Sequence, residues 1–274
     1  MPLRSGCMRA SDGANIPYRL WPANHPRALV ICLHGAFDFC GSFDEIGPQF
    51  SRQGFTTLAI DQRGFGLTAS RGCWSGKSRM TQDVIDAATF LRLRCGHRLP
   101  LFIVGESMGA ALAVHAAARD PSFAGLVLVA PGAVTGSWQR LIGAYLMRVL
   151  NKILPNSAIK IERLSAWDYT PGAALRLMCD PLVLRSIRPS MLLGLFTLAL
   201  GAVDVAKTVR RARHDSGRGT GRSAPSCLRR TSLRRAHRRQ AVAAIPCRTT
   251  PLVALETSRT CSHADLPLAG NSIV

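Results

Sequence analysis

An apolar run, Leu101-Phe102-Ile103-Val104, passes without a spacer into Gly105-Glu106-Ser107-Met108-Gly109, and that turn opens directly onto an alanine-rich stretch from Met108 to Arg119. Few folds accommodate such a junction. A strand that becomes a helix within one residue holds that residue in strained backbone geometry, and glycines two before and two after it leave room for the turn to close against its neighbours. G-x-S-x-G by itself is a weak signal, but here strand and helix flank it as the motif demands. The turn presents Ser107 at the carboxyl end of a sheet and at the positive end of a helix. Ser107 is therefore the candidate nucleophile.

The preceding sequence supplies the sheet. Ala28 to Leu33 (ALVICL) and Thr56 to Ile60 read as central strands buried on both faces, which need no polar alternation. Ile16 to Trp21 reads as an edge strand, Leu101 to Val104 and Gly125 to Val129 as further strands, and Thr81 to Arg94 as a helix carrying Val84, Ile85, Ala88 and Leu91 on one face. This alternation predicts βαβ units and a mostly parallel sheet. After Pro131 the rhythm changes. Residues 138–205 have helical periodicity, broken at Pro155, Thr170-Pro171-Gly172, Asp180-Pro181 and Arg188-Pro189, and no strand is expected among them. A helical insertion at this place predicts a cap over the carboxyl ends of the strands, where such sheets bind ligands. The expected units are thus the first part of an α/β core (1–131), a helical cap (132–205) and a tail (206–274).

The tail has a different composition. The chain has 274 residues and a formal net charge of +19, of which residues 207–274 contribute +11 from 14 basic and 3 acidic side chains. All 17 aromatic residues lie before Thr197. Such a segment buries too little apolar surface to offset its ordering entropy, so disorder is expected and the last strands of the sheet are expected to be missing. The tail also lacks aromatics for base stacking and a regular amphipathic stripe, so no specific nucleic-acid partner is expected. No secretory signal is visible in the first dozen residues, and the apolar stretch Met191 to Ala206 is interrupted by Gly194, Gly201 and Asp204. A cytoplasmic protein, peripheral to a membrane at most, is the expectation. Nine cysteines without a C-x-x-C pair, and without histidines at ligand spacing, predict free thiols and no metal.

A serine nucleophile acting on a carbonyl needs donors for the developing oxyanion. One is the amide that follows the serine, and the other comes from the loop after an earlier strand. The ALVICL strand ends at His34-Gly35-Ala36, so the Ala36 and Met108 amides are the expected pair. His34 reads as structural, because in this chain order the base comes after the nucleophile.

LHGAFDFCGSF, AIDQRGFGLT and VGESMGA, in this order and spacing, resemble the monoacylglycerol lipase and lysophospholipase branch of the α/β-hydrolases, also called serine aminopeptidase S33-like. Asp61-Gln62-Arg63-Gly64-Phe65-Gly66 is similar to that branch's D-x-R-G-x-G turn, and Asp180-Pro181-Leu182-Val183 to its cap-region D-P-L-V. The resemblance covers about residues 10–205. It implies an α/β-hydrolase fold and hydrolysis of a carboxylic ester of a lipid-like alcohol or acid through an acyl-enzyme, without metal or cofactor. Peripheral contact of the cap with a membrane surface is a further expectation.

The resemblance further implies a catalytic acid after a strand that follows the cap, and a histidine some thirty residues later. Near residue 215 the chain offers His214-Asp215-Ser216-Gly217-Arg218 instead. The acids available are Asp204, Asp215, Glu256 and Asp265, and the histidines are His214, His237 and His263; none follows an apolar strand. The triad acid and base are therefore unassigned. Back-translated with free codon choice and read one base later, residues 214–220 permit Thr-Thr-Pro-Val-Val-Val-Leu, the kind of strand the fold requires. Three readings stay open: an active lipid esterase, a hydrolase-fold protein without its base, and a protein whose basic tail binds nucleic acid or membrane.

Overall fold

A computed structural model of the chain describes residues 2–131, 137–154, 157–160, 171–218 and 242–246. Its elements in chain order are β1 (Arg4–Arg9), β2 (Asn15–Trp21), β3 (Ala28–Leu33), α1 (Gly47–Arg52), β4 (Phe55–Ile60), α2 (Lys77–Cys95), β5 (Leu101–Glu106), α3 (Met108–Arg119) and β6 (Gly125–Val129), followed by α4 (Ser137–Ile153), β7 (Ile159–Lys160), α5 (Pro171–Cys179), β8 (Ser186–Ile187), α6 (Pro189–Arg218) and β9 (Val242–Pro246). The main sheet runs β1-β2-β4-β3-β5-β6-β9. Strands β4, β3, β5 and β6 are parallel, whereas β1, β2 and β9 join antiparallel. The expected α/β architecture with a mostly parallel sheet is therefore present.

Strand β3 shows why the sheet sits in the middle of the molecule. All six of its residues are buried, and successive side chains point to opposite faces. Leu29, Ile31 and Leu33 enter a core with Met80, Val84 and Leu91 of α2 and Leu112 of α3. Val30 and Cys32 enter a second core with Trp21, Phe39, Phe43 and Val183. Helix α3 is buried along nearly its whole length, with Ala110, Ala113 and Ala116 allowing close approach to the sheet. Register brings Leu33 opposite Gly105 and Glu106 opposite Val129, so the ends of β3, β5 and β6 meet at one rim.

Several elements depart from the sequence pattern. Ile16–Trp21 falls in β2, which is not at the edge, because Arg4–Arg9 pairs outside it. Five of the six residues of β1 are exposed, so no apolar run announced it. Within the cap, β7 and β8 form a two-residue antiparallel pairing where no strand was expected. Helix α6 runs through the expected boundary at residue 206 and on to Arg218, since Ala, Lys and Arg from Ala206 to Arg213 are good helix formers. Val242–Pro246, in the segment expected to be disordered, lies antiparallel on β6 and covers an otherwise open edge.

Helix α6 contains a window, Pro189–Ala206, long and apolar enough to cross a membrane. The glycines and Asp204 that argued against a span do not interrupt the helix. Met191, Leu198 and Ala202 are buried against the core, and Gly194 leaves space for the Trp74 ring: a Cβ there would lie 2.1 Å from it.

Candidate active site

Ser107 stands between β5 and α3 with φ 49° and ψ −106°, one of three non-glycine residues with positive φ among the described residues. Three contacts hold it there. Its amide donates to Val129 O at 3.0 Å, continuing the β5–β6 pairing by one residue, and its carbonyl accepts Ala111 N at 3.3 Å to start the helix. A Cβ on Gly105 would lie 2.4 Å from Gly109 O, and one on Gly109 would lie 2.2 Å from Leu33 O. Both glycines are thus required by close approach of backbone, as the sequence pattern predicts. Ser107 is the N-cap residue of α3 but makes no side-chain cap bond, so its Oγ is left for other chemistry.

The loop after β3 faces the elbow. Gly35 is packed against it: a Cβ there would be 3.7 Å from Ser107 Cβ and 3.6 Å from Glu106 Cδ. Ala36 follows Gly35 directly and is half-buried, and Met108 is buried at the first turn of α3. The two residues expected to give oxyanion donors therefore sit in segments that flank Ser107. His34 is fully buried. Its Nδ1 bonds Gly35 O at 2.8 Å, and its Nε2 accepts Gln62 N at 3.1 Å, while Gln62 Nε2 donates to His34 O at 2.7 Å. These partners define a neutral ring with the proton on Nδ1, and burial holds the pKa below its ordinary value. His34 ties β3 to β4, the structural role expected.

The D-x-R-G-x-G turn performs the same service for β4. Asp61 is fully buried and accepts Cys40 N and Leu67 N, each at 2.8 Å. Gly66, at φ 55°, makes room for that carboxylate, since a Cβ would come within 2.2 Å of Oδ2. Arg63 pairs with Asp83 of α2 and Asp12 of the β1–β2 turn. The D-P-L-V segment anchors the cap: Asp180 Oδ1 accepts Leu182 N, Val183 is buried against Cys40 and Phe43, and Leu184 N donates to Phe37 O at 2.8 Å.

Four side chains at the site carried no sequence expectation of their own. Phe37 has φ 74°, and Asp38, buried, receives Arg176 of α5 on both carboxylate oxygens, at 2.5 and 2.6 Å. Glu106 lies beneath Gly35; burial pushes its carboxyl up, the neighbouring Asp38 adds to this and Arg176 opposes it. The signal for them was present in the quoted motifs, where two acidic residues flank the loop and the nucleophile. Pairing Asp38 with Arg176 could not be read, because 138 residues separate them.

No base reaches the nucleophile among the described residues, and none of their side chains hydrogen-bonds Ser107 Oγ. His115 bonds Leu198 O at 3.3 Å and is eight residues along α3, about 12 Å of helix. His25 and His97 precede β3 and β5 and so lie at the opposite end of the sheet. His214 and Asp215 fall within α6, in the segment expected to be disordered, and Asp204 lies in the same helix. His237, His263, Glu256 and Asp265 lie outside the described residues. Among the described residues no group of three or more His, Cys, Asp or Glu could hold a metal.

A parallel sheet, a strained serine between strand and helix, and a cap inserted after the next strand define the α/β-hydrolase fold. Solved structures agree. A soluble variant of monoglyceride lipase from Saccharomyces cerevisiae, in complex with a substrate analogue, superimposes with a TM-score of 0.61 at 19% identity, covering 73% of this chain and 68% of that one. A thermostable carboxyl esterase from Bacillus coagulans gives 0.59 at 18%, covering 73% of each chain. By sequence, monoglyceride lipase of Rattus norvegicus is 30% identical over 164 residues, which are 54% of this chain and 50% of the relative. The chain spans about half the length of that curated relative. The profile of the family described as Serine aminopeptidase, S33 matches residues 24–211, and the chain belongs to that family.

Proposed function

We propose that this chain is built to hydrolyse carboxylic esters of lipid-like substrates, of the monoacylglycerol or lysophospholipid type, with Ser107 as nucleophile. The observation that carries this is the elbow itself, a serine at φ 49° whose Oγ is not spent on capping the helix it begins. Similarity to monoglyceride lipases supports the substrate class. In the proposed reaction Ser107 Oγ attacks the ester carbonyl, the tetrahedral oxyanion rests on the Ala36 and Met108 amides, and its collapse expels the alcohol to leave an acyl-enzyme that water then hydrolyses. Positive potential at the start of α3 adds to the same stabilisation. The cap contributes a lipid-facing surface. Tyr145, Leu146, Ile153, Leu154, Leu175 and Met178 of α4, α5 and the adjoining loop are exposed large apolar side chains, the residue type that contacts a lipid interface.

Turnover at full rate needs an imidazole to take the serine proton. The family match ends at residue 211, close to where the strand after the cap gives way to His214-Asp215 and the arginine-rich segment. A reading-frame change near residues 207–214 accounts for this coincidence and for the frame-shifted strand sequence. The second reading, a hydrolase fold deprived of its base, is favoured by the positions of the described histidines. Reaction with a fluorophosphonate, together with hydrolysis of p-nitrophenyl butyrate, separates the two. Labelling and turnover that both vanish in Ser107→Ala support an esterase, whereas labelling without turnover, or neither, supports the impaired form. Genomic sequence across codons 200–220 tests the frame change; one intact frame shared with transcripts of relatives contradicts it.

A further inference from the structure

The loop from His34 to Phe39 is held from two sides. From the core, His34 and Gln62 fix its start through the bonds at 2.7 to 3.1 Å already described. From the cap, Leu184 N grips Phe37 O at 2.8 Å and Arg176 Nη1 grips both oxygens of Asp38. Between these holds lie Gly35, against the nucleophile, and Phe37 in left-handed backbone, a conformation a bulky residue keeps only where its surroundings enforce it. Asp38 also accepts Phe39 N on Oδ1 at 2.9 Å, and Asp38 N donates weakly to Gly35 O at 3.4 Å, so the carboxylate and the turn are one hydrogen-bonded unit.

The pair is also the electrostatic hinge of this corner. Asp38 and Arg176 are both largely withdrawn from water, with 10% and 21% of their side chains exposed, so the attraction is screened less than at a surface. Glu106 sits close by under Gly35 and is the second carboxylate facing the same guanidinium. Removing Arg176 takes away the guanidinium that opposes the repulsion between Asp38 and Glu106, beside the turn that faces Ser107.

We infer that Arg176 is a positioning residue of the active site: by chelating Asp38 from the cap, it holds the Gly35–Phe37 turn in the shape that aims the Ala36 amide at the Ser107 centre. Seating of α5 on the core and formation of the oxyanion hole are then one event. This rests on the proposed role of Ala36 as an oxyanion donor. It extends that role by coupling it to a cap side chain that touches neither the serine nor the ester.

Hydrogen exchange of the full chain tests the coupling without requiring turnover. In Arg176→Gln the amides of Asp38 and Phe39, which bond within the turn, exchange about tenfold faster, those of β5 and α3 keep their protection, and Arg176→Lys recovers part of the loss. The rate of phosphonylation by a fluorophosphonate falls by up to about 10²-fold in Arg176→Gln, and in Asp38→Asn by a similar factor. The double variant falls no further than either single one, since the two residues act as a unit. Unchanged exchange at Asp38 and Phe39 in Arg176→Gln overturns the inference, as do losses that multiply in the double variant. Absence of any adduct in the parent chain shows a serine without its base, and the exchange measurement still decides whether Arg176 holds the loop.

Discussion

Gly109→Ala places one methyl group where the structure has no space for it. The added Cβ would lie 2.2 Å from Leu33 O and 2.6 Å from Leu33 C, both backbone atoms of a central strand that cannot rotate aside. Ordinary contact begins at 3.4 Å, so the start of α3 must retreat by about 1.2 Å. Two energies compete. Alanine favours the helix over glycine by about 1 kcal/mol, while overpacking a close-packed site costs about 1–3 kcal/mol, at the upper end here because backbone must move. The net expectation is a loss of about 2 kcal/mol, or a fall of about 4–8 °C in Tm for a chain of this size. Displacing Ser107 by about 1 Å from its donors lowers its reaction with a fluorophosphonate by about 10²-fold. Gly201→Ala is the comparison, because its Cβ meets only side-chain atoms, the His115 ring at 3.3 and 3.4 Å and Lys77 Nζ at 3.6 Å, and the helical preference for alanine offsets that crowding. Thermal melts and labelling rates of the two variants provide the assay. A Gly109→Ala protein that melts with Gly201→Ala and reacts at the parent rate refutes the close approach of α3 to β3.

Other outcomes follow from the same contacts. Asp61→Asn replaces one acceptor oxygen by a donor and strands either the Cys40 or the Leu67 amide, so urea denaturation should show a loss of about 1–3 kcal/mol. Burial lowers the pKa of His34 and of His115 below 6.5, so the unfolded chain binds their protons first; stability is highest above pH 6.5 and falls as pH drops through it, by at most about 1.4 kcal/mol per unit for each. Glu106 works in the other direction, its raised carboxyl favouring the folded state most below 4.5 and less as pH rises. Just above pH 4.5 urea midpoints should therefore rise with pH more steeply in Glu106→Gln than in the parent, and an unchanged slope contradicts the assignment. For the cap, Leu146→Ser with Ile153→Ser should lower co-sedimentation with phosphatidylcholine vesicles, whereas binding that is unaffected places the lipid surface elsewhere.

The sheet and the elbow were legible because both obey local rules. ALVICL carries its burial in composition, and Gly105 and Gly109 announce a close approach that needs no knowledge of distant residues. Strand β1 was not legible, since five of its six residues are exposed and its place outside β2 is decided by pairing alone. The same holds for β9, a five-residue strand in an arginine-rich segment whose place depends on the edge of β6, and for the continuation of α6 past residue 206, where helix-forming residues outweighed the change in charge. At the site, Ser107, Ala36 and Met108 follow from chain position, but the contact of Asp38 with Arg176 is tertiary. Sequence order contains no signal for which cap arginine meets which loop carboxylate.

Mass spectrometry of the intact chain after fluorophosphonate treatment tests the role of Ser107 most directly. One phosphonyl group should be added, peptide mapping should place it on Ser107, and Ser107→Ala should take up none and lose whatever p-nitrophenyl butyrate hydrolysis the parent shows. An adduct on a different residue, or equal hydrolysis by Ser107→Ala, contradicts the assignment of the elbow as the reactive centre.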